Sequence, residues 1–159
     1  MTLPFFKFQV NATAFAFILS TDKVLDELRK AGYQLGIISN FDERIYRILE
    51  NMNLHGYFDF VQIPSSCEGF AKPSPEIFHA TRALANRKYG PPLLDHQFLH
   101  VGDNVELDYR AARASGFQAL LLCHNADDLA AVKEDDVILR NGDYALDLVQ
   151  LKDKVLDKF

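Results

Sequence analysis

The chain has 159 residues, 48% of them hydrophobic and 25% charged, with a formal net charge of −5. That is the length of one domain with enough apolar material to build a core, which excludes a disordered chain. The acidic balance and the absence of any Lys/Arg cluster speak against nucleic acid or a membrane surface as partner.

The first twenty residues, MTLPFFKFQVNATAFAFILS, carry one charged side chain, Lys7. Lys7, Gln9, Asn11 and Thr13 interrupt the apolar run, so it fits neither a signal peptide nor a membrane span. Asn11-Ala12-Thr13 has the form of a glycosylation sequon, but no other feature points to secretion. Residues 1–21 read as an atypical N-terminal segment of strand-like or frayed character, and residues 22–159 as the core domain. The two cysteines, Cys67 and Cys123, have no metal-ligand spacing and read as reduced thiols of a cytoplasmic protein.

From Asp22 the pattern is regular. Val24, Leu25, Leu28 and Ala31 recur at helical spacing, and Gly32 stops that helix. Leu35 to Ser39 is a short, β-branched apolar run of the kind buried in a parallel sheet. Asp42 opens a second helix carrying Ile45, Ile48, Leu49 and Met52, with Gly56 beyond it. Phe58 to Ile63 reads as a strand. Ser74-Pro75 signals the start of a helix with Ile77, Phe78, Thr81 and Leu84, closed by Gly90-Pro91-Pro92. Phe98 to Val101 is the next strand, followed by a helix through Ala111 and Ala112 that ends at Gly116. Gln118 to Leu122 is a further strand, and Leu148, Leu151 and Val155 mark a last amphipathic helix.

Strands alternating with helices predict an α/β fold, a Rossmann-like parallel sheet with helices on both faces. Ligands of such sheets bind beyond the carboxyl ends of the strands. The polar residues there are Ser39 and Asn40 after LGII, Lys72 after the second predicted strand, and Asp103 and Asp108 in GDNVELD after FLHV. A hydroxyl, an amide, a lysine and two carboxylates suit a phosphoryl group with a magnesium ion. The hydroxyl and backbone amides donate to phosphate oxygens, the lysine offsets phosphate charge, and a carboxylate is a hard ligand for Mg2+. Each residue alone has an ordinary explanation: a loop cap, a turn amide, a solvated lysine, a helix-capping or exposed carboxylate.

The ordered set IISN, KPSPEIF and HVGDNVELDYRAARASG resembles the haloacid dehalogenase superfamily over roughly residues 22 to 125. The resemblance implies that Ser39 orients a phosphoryl group, with Asn40 following in the same loop. It implies that Lys72 stabilises charge on the nucleophile and phosphoryl group, and that Asp103 and Asp108 supply or support the Mg2+ site. It further implies a small phosphorylated metabolite as substrate. Oligomeric state is not legible.

The same resemblance expects an aspartate nucleophile and an acid/base aspartate on a central first strand, followed by a cap. No aspartate or glutamate precedes Asp22, and DKVLD lacks the expected second acid. An inactive chain is therefore expected, a truncated or alternative form of a phosphohydrolase, with the first-motif strand and cap missing or replaced. The strand-like stretches FFKFQV and AFAFIL are candidates to fill the vacated slot, which would otherwise leave two strand edges unpaired. The competing reading is a non-catalytic binding or interaction module. A receiver domain is disfavoured, because there the acids come before the hydroxyl and lysine.

Overall fold

The computed structural model describes residues 5–8, 21–90 and 92–158. Strand β1 (Phe5–Phe8) opens it, followed by α1 (Thr21–Lys30), β2 (Ile37–Ile38), α2 (Arg44–Asn51) and β3 (Val61–Gln62). Then come α3 (Pro75–Tyr89), β4 (Phe98–Gly102), a π-helical turn at Val105–Arg110 running into α4 (Ala111–Ala114), and β5 (Gln118–Leu122). The chain ends with α5 (Ala126–Glu134), α6 (Asp136–Asn141), β6 (Tyr144–Ala145) and α7 (Leu148–Lys158).

All recorded strand pairs are parallel. One sheet runs β1-β4-β5-β6, and β2 pairs with β3. β1 also lies beside β2, which joins the two ladders. The Phe5–Phe8 stretch thus takes the central place between β2 and β4 that the sequence left open, in register Phe5 with Phe98 through Phe8 with Val101. The other candidate stretch, AFAFIL, lies outside the described residues.

Side chains alternate across a strand, so each strand feeds two apolar layers. Ile37, Leu99, Val101, Leu120 and Leu122 face α1, α2 and α7, meeting Leu25, Leu28, Leu49, Leu151 and Val155. Ile38, Phe98, Ala119 and Leu121 face the opposite way, against Ile77 and Phe78 of α3, Ala112 of α4, Val132 of α5 and Ile138 of α6. In that second layer Phe98 stacks on Phe117 at 4.8 Å, and Phe78 meets Phe117 edge-on at 5.7 Å. The result is the sheet with helices on both faces that the sequence predicts.

The regular strands are shorter than the apolar runs. Leu35 to Ser39 contributes two ladder residues and Phe58 to Ile63 another two, after a 3-10 turn at His55–Tyr57. The segment between Cys123 and Leu148 carries α5, α6 and β6, which hydrophobic periodicity does not reveal. Their signal lies in caps: the Asn125 side chain accepts from the amides of Asp127 and Asp128, and that of Asp135 from Val137 and Ile138.

Candidate phosphate and metal crevice

The carboxyl ends of β2, β4 and β5 open onto a crevice of about 310 Å³ lined by Ser39, Asn40, Phe41, Lys72, Asp103, Asn104, Leu107, Asp108 and Asp128. All five residues singled out from the sequence border this one space. They arrive there from three loops, which is how an open parallel sheet gathers polar groups at its rim.

Ser39 ends the β2 segment. Its amide donates to the Gln62 carbonyl at 3.0 Å, and its Oγ accepts from the Phe41 amide at 3.1 Å. Only 5% of the residue is exposed. Asn40 is committed differently from what a simple phosphate donor would require. Its Nδ2 donates to the Lys72 carbonyl at 2.8 Å, and its Oδ1 accepts from the Lys72 amide at 2.7 Å. The carboxamide therefore staples the Ser39 loop to the Lys72 loop, fixing the backbone that carries the lysine. The Lys72–Pro73 peptide is cis.

Lys72 turns inward. Its Nζ donates to Asp108 Oδ1 at 2.6 Å, with both side chains 2% exposed. The same Asp108 oxygen lies 3.2 Å from His100 Nε2, and Asp108 Oδ2 accepts from the Asn104 amide at 3.0 Å. Burial by itself raises the Asp108 pKa. The hydrogen bond from His100 and the Lys72 ammonium outweigh it and hold the carboxyl down at about 2. Burial likewise pulls the Lys72 pKa down, against the opposite pull of Asp108 and then Asp103.

Asp108 reaches this position through two local features. The turn after β4 is π-helical, with the Tyr109 amide bonding the Asn104 carbonyl five residues back at 3.2 Å. The Asn104 side chain caps it, accepting from Glu106 and Leu107 amides at 3.0 and 2.8 Å. At the strand end, a β-carbon on Gly102 would collide with the Asp108 carboxylate, so only glycine lets that carboxylate sit against the strand.

Asp103 and Asp108 therefore differ in what they offer a metal. Asp103 is half-buried on the crevice wall. Asp108 accepts from three protein donors and is directed into the core. Among the described residues no cluster of three or more His, Cys, Asp or Glu side chains forms a cage. A half-buried carboxylate such as Asp103 on the wall of a wet crevice suits a cation that keeps several waters, the habit of Mg2+.

Three contributors escaped the sequence reading. His100 carries a polar signal within the apolar FLHVG strand. Asn104 is the cap of the turn. Asp128, which lines the crevice and accepts from the His124 amide at 2.7 Å, follows β5 and obeys the same strand-end rule as the others.

With this geometry in view, the relatives are informative. The sequence pattern of the family described as haloacid dehalogenase-like hydrolase matches residues 9–116. Haloacid dehalogenase-like hydrolase domain-containing protein 3 of Bos taurus is 40% identical over 94 residues, which are 59% of this chain and 35% of that protein. The chain thus spans about a third of that relative's length. A HAD phosphatase from Thermococcus onnurineus superposes with a TM-score of 0.60 at 27% identity, over 69% of this chain and 47% of its own. An uncharacterized protein from Listeria monocytogenes shares the fold across 99% of this chain and 100% of its own, at a TM-score of 0.71 and 19% identity. Motifs, sheet order and family pattern agree on the middle of the sequence, and the chain belongs to the haloacid dehalogenase-like hydrolase family.

Proposed function

We propose that this chain carries the phosphoryl- and magnesium-binding portion of a phosphohydrolase site and does not itself turn over phosphate esters. The observation that carries the reading is the convergence of Ser39, Lys72, Asp103 and Asp108 on one crevice at the sheet's rim. In this reading the Ser39 hydroxyl, whose oxygen accepts from the Phe41 amide, donates its own proton to a phosphate oxygen, and Lys72 supplies positive charge. Asp103 is the carboxylate suited to hold Mg2+, with Asp108 anchoring the lysine rather than facing the cation. A bound Mg2+ would offset charge on the phosphoryl oxygens.

The family resemblance expects a nucleophilic aspartate just after the central strand. In this chain the central strand is β1, and the next residues in sequence are Gln9, Val10 and Asn11. Carboxamides and hydrocarbon cannot form an acyl phosphate, so the covalent route has no attacking group there. A small phosphorylated metabolite is the ligand class the crevice volume suits. Cys67 and Cys123 are both free and buried, in keeping with a reducing, cytoplasmic setting. No helix among the described residues is long and apolar enough to cross a membrane.

Two measurements test the reading. Purified chain with Mg2+ should not hydrolyse p-nitrophenyl phosphate above background; robust turnover abolished by Asp103→Ala would overturn the inactive assignment. Inorganic phosphate with Mg2+ should give a calorimetric binding heat that Lys72→Met abolishes while the thermal transition persists. Binding that survives this substitution would remove the phosphate site. The second reading, a non-catalytic binding module, is favoured by the same missing acid and predicts binding heat without turnover in the longest natural product of the gene as well.

A further inference from the structure

We infer that His100 is a positioning residue for the crevice: it locks the Asp108 carboxylate in the one orientation that holds the Lys72 ammonium beneath the phosphate-binding loop. His100 sits in the middle of β4, 1% exposed, on the face that otherwise carries Phe98 and packs against α3. An imidazole in such an apolar layer is costly unless its polar edge is used. Here Nε2 lies 3.2 Å from Asp108 Oδ1. An ionised carboxylate only accepts, so Nε2 carries the proton and donates. The ring is held edge-on against Phe78 at 5.3 Å and 84°, and Phe78 belongs to α3, the helix that begins three residues after Lys72.

The need for a second donor follows from the geometry. Lys72 reaches Asp108 through a four-carbon stem, and a point charge at the end of a flexible stem does not fix the plane of a carboxylate. The imidazole is rigid and mounted on a strand. With His100 on Oδ1 and the Asn104 amide on Oδ2, both carboxylate oxygens are held. Lys72 then has one fixed acceptor, 2.6 Å away. Without His100 the carboxylate can rotate about its side-chain bonds and carry the ammonium with it.

One arm of the test does not depend on the phosphate reading, and the other rests on it. In the first, Lys72 in the unliganded chain is labelled with an amine-acylating reagent and followed by mass spectrometry. His100→Phe should label at Lys72 about 10- to 100-fold faster than the parent, the size expected for one lost charge-assisted hydrogen bond. His100→Gln, which keeps a donor at similar reach, should return the rate to within about twofold. In the second arm, inorganic phosphate affinity in the presence of Mg2+ should fall by a similar factor in His100→Phe and recover in His100→Gln. Equal Lys72 labelling in parent and His100→Phe, with both folded by circular dichroism, would overturn the inference. So would fast labelling in both variants, since that marks a packing role alone. If labelling changes as expected but the parent shows no phosphate heat, the positioning role stands and the phosphate reading fails.

Discussion

Asp108 accepts from Lys72, His100 and the Asn104 amide, and its energetics are directly measurable. Its carboxyl titrates at about 2 instead of the ordinary 3.8. A depressed carboxyl contributes stability that is present above the unfolded-state pKa and lost as pH falls through the folded one. Stability should therefore drop by about 2 kcal/mol between roughly pH 4 and pH 2 on this account. In Asp108→Asn that part of the pH dependence should vanish. At pH 7 the variant should lose about 3 kcal/mol, because it leaves the Lys72 ammonium buried without its counter-charge. Urea melts at a series of pH values check both statements, and an unchanged acid limb in the variant would contradict them. Asn40→Ala removes both staple bonds to the Lys72 backbone and should cost about 1–2 kcal/mol in the same melts. The sequence marked Ser39, Asn40, Lys72, Asp103 and Asp108 because they follow strands. It did not disclose that Asn40 serves the Lys72 backbone or that Asp108 points inward. Those are choices between equally available partners, and they depend on which loops become neighbours.

Among the elements, β1 and the turn after β4 matter most to the site. β1 occupies the sheet's middle although its residues lack the expected acids, and Phe5–Phe8 pairs along β4. Amide hydrogen exchange should be slow in Phe5–Phe8, comparable with β4 and far slower than an unpaired N-terminus; fast exchange there would remove β1 from the sheet. Gly102→Ala should cost more than about 2 kcal/mol, because its methyl group would displace the buried Asp108 carboxylate. A smaller loss would show that the carboxylate has room to retreat. The long apolar runs of β4 and β5 and the amphipathic faces of α1, α3 and α7 were readable because burial pattern and period coincide in them. β6 has two ladder residues, and α5 and α6 are short. In such elements the caps outweigh periodicity, so a pattern of apolar spacing finds no grip.

For the whole molecule, the parallel sheet separates two apolar layers that stand or fall together. Cys123 follows β5 inside the second layer, and burial pushes its thiol up to about 11. Its reaction with a disulfide reagent should be negligible in the folded chain and should rise along the same urea curve as the loss of helix signal. Earlier reactivity would mean that the layer beneath α5 and α6 opens by itself. The sequence alone determined the alternation of strands and helices, the layering, the family and five of the residues at the sheet's rim, because side-chain period and strand-end chemistry are written locally. Only the tertiary structure decided which segment fills the central strand, that His100 and Lys72 share one carboxylate oxygen, and that the Asp108 carboxylate is engaged by buried protein donors while Asp103 stays half-buried on the crevice wall. Those outcomes turn on strand pairing and on competition for buried hydrogen bonds, and both are settled between residues far apart in the chain.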